Sequence, residues 1–543
     1  MIGSELLLLA ALAAPLALLL ACGSRWVRAR MMALLGLAPL PALAAALLAV
    51  DGPPLVLARQ QITFALDPAG AILLGVAAFL WSAAGFYAWA YLRDEPHQER
   101  FSIYWLLTLT GSLGVFITAD LFTFYLAFAL VSLAAYGLVI FDGTPRARRA
   151  GIIYLALALL GEVALLMGFV LLATAVAGDS LAIRDAVAAL PTSPWRDPAV
   201  ALLIVGFGLK MGLVPLHVWL PVAHPAAPMP ASAVLSGAII KAGVIGLLRF
   251  LPFEMPLPEW GAILTVVGLF TAFYSVLIGI TQSNPKTVLA YSSVSQMGFV
   301  AAVLGMGLAA GPGGEAIMVA TFYSAHHLLA KGALFLAVGV IAVTGKRRLW
   351  LMLLPAAILA LGVGGLPLTG GALAKLAVKP VLGKELVGLL ATLSAVGTTL
   401  LMLHFLHRLA ASAAPEPAAT APAGLALPWL AMFVAALVIP WTLYEATGIG
   451  TWTDALQPEM LWAGSWPLLI GVGLALALWR WGRHLPQVPE GDLVVAGERA
   501  ARVIFTWGDA LERVEGWLRR WPMAALMLLV ITLLIGGALV GGR

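Results

Sequence analysis

Runs of roughly twenty apolar residues recur along the whole chain, each long enough to cross a hydrocarbon core of about 30 Å. Helices of that kind have no stable place in water. With 62% hydrophobic and only 10% charged residues, and a mean hydropathy of +1.00, the chain lacks the polar side chains that a soluble fold needs for its surface. The expected fold class is therefore an all-α polytopic membrane protein of about sixteen transmembrane helices.

Composition also narrows the chemistry. The single cysteine, Cys22, allows no internal disulfide and no cysteine-ligated iron–sulfur cluster. No phosphate-binding loop, dinucleotide glycine fingerprint or HExxH sequence occurs. No catalytic, cofactor-binding or metal-ligating residues are expected, and nucleic acid is not an expected partner.

The first thirty residues carry Glu5 before a long apolar run and Arg25, Arg28 and Arg30 after it. That polarity is the reverse of a secretory signal, so a retained first helix with its N-terminus outside is expected. The second span is expected near 31–50, the seventh near 199–216, the eighth near 230–251, the eleventh near 315–344, the twelfth near 349–381 and the sixteenth near 521–540. Basic residues then fall in alternate loops, as the positive-inside rule requires. Arg146, Arg148, Arg149, Lys286, Lys346 to Arg348, Arg408, Arg480 and Arg483 take the inner side. Glu254, Glu259, Glu445, Asp454 and Glu459 take the outer side. An even span count puts both termini on the periplasmic side of a bacterial-type inner membrane. Residues 411–424 read as a Pro/Ala-rich loop. Near 497–520, Val503, Phe505, Trp507, Leu511, Val514 and Trp517 lie among charges. They fit a helix on the inner membrane surface, or a solvated connector.

A charge in mid-span costs roughly 2.5–3.5 kcal/mol on the insertion scale. Lys210, Lys241, Lys331, Lys375, Glu162 and His327 nevertheless all fall inside predicted spans. Singly, each leaves a packing or snorkelling charge as an alternative. Lysines in four separate spans point to a shared ion path. Gly212 and Pro215 follow Lys210, and Pro367 lies between glycines ahead of Lys375. Such breaks are tolerated at membrane depth where backbone faces protein or a hydrated cavity, and paired interrupted helices mark inverted-repeat transporters. In the eleventh span Tyr323, His327 and Lys331 follow at i,i+4 steps and share one face. Such a stripe can pass protons through intervening water, or serve as a polar clamp between helices. Lys241 lies about 16 Å beyond the start of its span, near the midplane. Arg249 lies near the outer end and reads as an anchor.

Five stretches resemble the antiporter-like subunits of respiratory complex I and their relatives. They are KMGLVPLHVWLPVAHPAAPMPASAVLSG (210–237), IKAG (240–243), QSNPKTVLAYSSVSQMG (282–298), HHLLAKGALF (326–335) and GLPLTGG (365–371). The relatives are large Mrp-type cation/proton antiporter subunits, membrane-bound hydrogenase and formate hydrogenlyase subunits, and the membrane subunit of a bacterial inorganic-carbon accumulation system. Weaker similarity covers about 60–410. The resemblance implies three N-terminal helices in 1–102, inverted five-helix repeats in 103–251 and 260–410, each with one broken helix, and C-terminal helices in 425–543. It assigns Lys210 to a first half-channel, Lys241 to a connecting position, His327 and Lys331 to a central axis, Lys375 to the exit side and Glu162 to an acidic position on the sixth span. It also implies a proton-translocating subunit without a cofactor, joined to other membrane subunits and to a redox or enzymatic module. A place in a Na+/H+ antiporter assembly, or a scaffold role beside an enzymatic partner, is the alternative. One departure stands out. The fifth span, FYLAFALVSLAAY, has Ala129 where the family usually carries a glutamate that pairs with the seventh-span lysine. Glu162 is then the expected partner of Lys210, because Asp120 lies too near the outer surface.

Overall fold

Several spanning helices begin where the sequence supplies a capping oxygen. Asp67 Oδ1 accepts from Gly70 N at 2.7 Å ahead of the helix Pro68–Tyr91. Thr144 caps Pro145–Ala175 through Ala147 N at 3.1 Å, and Asn284 caps Pro285–Ala310 through Lys286 N at 2.9 Å. In each case proline occupies the first turn, where its missing N–H costs nothing. Asp120 caps Leu121–Val139 through Thr123 N at 2.7 Å and accepts a second bond from Thr63 N at 2.8 Å. That fixes it as a structural carboxylate at the helix end.

The computed structural model describes residues 2–57, 62–176, 178, 180–312, 314–482 and 486–499. The chain divides into two units, Met1–Glu490 and Gly491–Arg543, and every helix discussed below belongs to the first. The fold is all-α and polytopic. Among the described residues 13 helices are long and apolar enough to cross a membrane. The expected second and twelfth spans are the ones missing from that set, and both are interrupted. The twelfth is Leu349–Gly364 followed by Gly370–Leu382. The second is not the continuous helix expected near 31–50. It breaks into Met31–Leu34 and Leu40–Leu48, because Pro39 and Pro41 remove backbone donors at the junction. An unforeseen two-stranded hairpin, Leu55–Leu57 with Ile62–Phe64, follows it. Lys286, read as an inner-loop charge, is instead buried in the first turn of the tenth span and donates to the Ala227 carbonyl. The sixteenth span, Arg483 and nearly all of the amphipathic stretch near 497–520 lie outside the described residues.

Burial is graded across the bundle. The most apolar window of the eighth span, Met229–Phe250, is 100% buried and that of the eleventh, Gly314–Ala342, 94% buried, against 17% for both the first and the fifteenth. The eighth, tenth and eleventh spans thus form the core. Leucine, valine and tryptophan are exposed on the outer helices, as a lipid-facing surface requires. The ninth and tenth spans approach so closely that a Cβ on Gly261 would lie 2.5 Å from the Gly305 carbonyl oxygen. Only glycine permits that contact.

Polar contacts tie helix ends to neighbouring segments. At one end Arg146 pairs with Glu490 at 2.5 Å, Thr287 Oγ1 donates to Glu490 Oε1 at 2.9 Å, and Arg347 N donates to Pro417 O at 3.1 Å. At the other, Arg249 donates to Asp67 at 2.8 and 3.3 Å and to the carbonyls of Val115, Phe116 and Thr118 at 3.1, 2.7 and 3.0 Å. Burial by itself would raise the Asp67 carboxyl. The Arg249 guanidinium outweighs it and holds the group below its ordinary value. A lowered carboxylate stabilises the fold above its unfolded pKa, and that contribution is lost only as pH falls through the folded value. The contribution is therefore constant near neutrality. Because Asp67 is 47% exposed, the three orphaned carbonyls dominate the effect of Arg249→Ala, which should cost about 2 kcal/mol. Unfolding in detergent should show the same deficit at pH 6 and pH 8. An unchanged melting temperature would mean that the clamp contributes nothing.

Candidate functional site

The break in the seventh span is built by local chemistry. Arg196–Met211 ends at Gly212, whose φ of +83° is the left-handed cap that glycine adopts freely. A cis peptide joins Val214 to Pro215, one 3₁₀ turn covers Leu216–Val218, and Trp219–Ala226 resumes the helix. The freed backbone groups find partners inside the protein. Val214 N donates to Thr271 Oγ1 at 3.1 Å, and Trp219 Nε1 donates to the Leu209 carbonyl at 2.9 Å. Such internal partners are what irregular backbone at membrane depth requires.

Lys210 sits in the last turn of the first half-helix, where the dipole favours a cation. It is 4% exposed. Its Nζ donates to Ser132 Oγ at 2.8 Å and lies 5.5 Å from the Phe128 ring centre. Glu162, also 4% exposed, is the acid that acts electrostatically on Lys210. The contact is not a direct salt bridge. Both Glu162 oxygens are buried without a hydrogen-bond partner among the described residues, and Lys210 and Ser132 are the neighbouring groups that act on the carboxylate. Ser132 accepts from the Lys210 amine and gives its one hydrogen to the Phe128 carbonyl at 2.8 Å. On the Asp120 side of Lys210, rings of Phe124, Phe169, Phe207 and Phe250 close together, with centres 4.8 Å apart for Phe124 and Phe250 and 4.6 Å for Phe169 and Phe250.

The eighth span carries a π-turn over Leu235–Ile239 immediately before Lys241. Such turns re-aim the side chains that follow and recur at functional sites. Lys241 is fully buried, and its Nζ lies 2.8 Å from His327 Nδ1. An ammonium has no lone pair, so a charged Lys241 donates to a neutral His327, and the pair holds one proton between two bases. Tyr323, His327 and Lys331 are buried on the eleventh span but turn to different partners. Tyr323 OH donates to Gln296 Oε1 at 2.5 Å, and Lys331 Nζ donates to the Leu289 carbonyl at 3.2 Å.

The second break leaves Leu349–Gly364 at Gly365, with φ of +104°, and restarts at Gly370. Leu368 holds φ of +66°, a conformation that costs a non-glycine residue roughly 1–2 kcal/mol. Lys375 lies back along the break, so that a Cβ on Gly365 would meet its Cδ at 2.9 Å. It lines a cavity of about 590 Å³ together with Lys379, Lys384 and Trp466.

Thus Lys241 and His327 are in direct contact, Lys210 and Glu162 interact electrostatically without a direct bond, and no bond links Lys331 or Lys375 to an acid among the described residues. An unpaired buried ammonium costs several kcal/mol, so the row does not hold four full charges at once. Ser132, Gln296 and His326 are not singled out by the sequence, although each lies inside a stretch compared above with the resembled family.

Residues 118–401 match the family described as NADH:quinone oxidoreductase/Mrp antiporter, transmembrane. An uncharacterized protein of Mycobacterium tuberculosis (strain H37Rv) is 36% identical over 56% of this chain and 50% of its own length. Hydrogenase-4 component B of Escherichia coli K12 is 30% identical over 52% of this chain and 43% of its own. The chain spans about half the length of these relatives. A chain of the membrane-bound sulfane sulfur reductase, an archaeal respiratory membrane complex, superposes with a TM-score of 0.70 at 19% identity, over 98% of this chain and 100% of that one. That likeness concerns the fold.

Proposed function

Because the chain belongs to the NADH:quinone oxidoreductase/Mrp antiporter transmembrane family, we propose that it carries protons along its row of buried bases as one membrane subunit of a larger complex. The observation that carries the reading is the 2.8 Å contact between Lys241 and His327 in the most buried part of the bundle. A solely structural polar clamp would be better served by groups whose charges cancel. Two coupled bases instead exchange one proton at low cost when a neighbouring charge changes. The row runs from Glu162 and Lys210 through Lys241, His327 and Lys331 to Lys375, with Tyr323 beside it. Its breaks at Gly212, Pro215 and Pro367 supply irregular backbone near Lys210 and Lys375. The aromatic cluster of Phe124, Phe169, Phe207 and Phe250 would hinder approach to Lys210 from the Asp120 end. The lysines and His327 supply proton-carrying nitrogens and no oxygen ligand for a hard cation, which favours H+ over Na+.

The inverted repeats belong to this proposal, as 103–251 and 260–410 with one broken helix each. So do residence in an inner membrane with the partners joined laterally, and periplasmic termini. Cysteine-accessibility labelling tests the orientation. Positions 146–149 and 346–348 should label from the cytoplasm, and 254 and 454 from the opposite side. Labelling of all four from one side would overturn both the orientation and the two-repeat arrangement. The function is tested by purification in mild detergent, identification of what co-purifies, and reconstitution of that complex with a pH-sensitive dye inside the vesicles. Other membrane subunits and partner-driven proton movement are the expected result. A complex that assembles and drives its partner reaction with no proton movement would instead favour the scaffold role.

A further inference from the structure

His326 is adjacent to His327 in sequence and about 100° round the helix from it, so it faces a different neighbour. His327 turns to Lys241 on the eighth span. His326 turns to the break in the twelfth. Its ring lies against the restart of that helix. A Cβ on Gly370 would come within 2.8 Å of His326 Nδ1, and one on Gly371 within 3.0 Å of Nε2. The Lys375 chain lies against the other end of the same break, where a Cβ on Gly365 would stand 3.8 Å from Lys375 Nζ. His326 is 6% exposed, and neither ring nitrogen has a hydrogen-bond partner among the described residues. The ring is close enough to interact electrostatically with Lys375 on one side and with His327 on the other. A ring serving only as a packing wedge would sit there as an apolar residue, since each unmet buried polar atom costs about 1–3 kcal/mol.

We propose that His326 is the proton-relay residue between the central pair, Lys241 and His327, and the lysine beyond the second break, Lys375. The inference rests on the proton-carrying reading above. The neutral ring takes a proton on its free nitrogen from the central side, through water. It becomes an imidazolium and releases the proton of its other nitrogen toward Lys375. The ring is left as the opposite tautomer and must turn or exchange before the next transfer. Glycine at 370 and 371 leaves room for the ring at this position.

The test uses the complex that co-purifies with the chain, reconstituted with a pH-sensitive dye, with Lys331→Ala as the non-conducting control. His326→Gln keeps the size and hydrogen bonding of the side chain but cannot become a cation. It should slow proton movement about 100-fold, as loss of a positioned acid–base group does, with the partner reaction assayed in parallel. His326→Ala should be equally slow and should recover on addition of imidazole, a rescue that a wedge role would not give. A parental rate for His326→Gln overturns the proposal, and so does a slow His326→Ala complex that imidazole leaves unchanged. If the parental complex moves no protons while its partner reaction runs, the proton-carrying reading falls and this inference falls with it. A conducting parent with an indifferent His326 overturns this inference alone.

Discussion

Lys331→Ala is expected to abolish coupled proton movement while the protein is still inserted and assembled. Lys331 is fully buried on the second most buried span, one helical turn beyond His327. Among the described residues its Nζ has one bonded partner, the Leu289 carbonyl. Truncation leaves that carbonyl unmet, at about 1–3 kcal/mol. It also removes an amine that no carboxylate balances. The two effects oppose each other, so the amount of protein in the membrane should change little. Transport should not survive, because the central row loses the base that follows His327. A loss of at least about 100-fold is expected for a positioned proton-transfer group. Lys331→Arg should fail nearly as badly, since a guanidinium does not give up its proton in a protein. Dye-reported proton movement in the reconstituted complex, scaled to the amount of chain present, decides the matter. A Lys331→Ala complex that pumps at the parental rate would remove the central axis from the mechanism.

The second large effect concerns Lys210 and Glu162. Each replaced alone, as Lys210→Ala or Glu162→Gln, should slow proton movement by about tenfold or more, and the double replacement should add little, as for groups that act as one unit. The structural basis is the burial of both side chains and the electrostatic interaction between them, with the Lys210 amine bonded only to the neutral Ser132 hydroxyl, at 2.8 Å, among the described residues. With the amine gone, Glu162 has no cation to answer. With the carboxylate gone, the state of Lys210 no longer responds to its neighbour. Ala129→Glu should be tolerated. Position 129 is half-buried and one turn before Ser132 on the fifth span, so a carboxylate there shares the helix face that meets Lys210. A double-mutant cycle on transport rate is the measurement. Strictly multiplicative losses would show that the lysine and the acid act separately, leaving Lys210 paired only with a neutral hydroxyl and favouring a scaffold role for this half of the protein.

The sequence by itself determined the solvent, the order of the spans and the places where two helices break. Those properties are local. Twenty apolar residues in a row need lipid wherever they lie, proline removes a donor whatever surrounds it, and a lysine in such a row is conspicuous because it is costly there. The second span shows the limit of that reasoning, for Pro39 and Pro41 lie in a run apolar enough to pass for one helix and yet divide it. What charged groups meet was decided elsewhere. Lys210 reaches Ser132 across 78 residues and Lys241 reaches His327 across 86. Such pairings depend on the rotation of each helix about its own axis, which packing against three or four neighbours sets. A serine or a second histidine in an apolar helix carries no mark of its own. Only the tertiary structure turns Ser132 toward Lys210 and His326 toward the broken twelfth span.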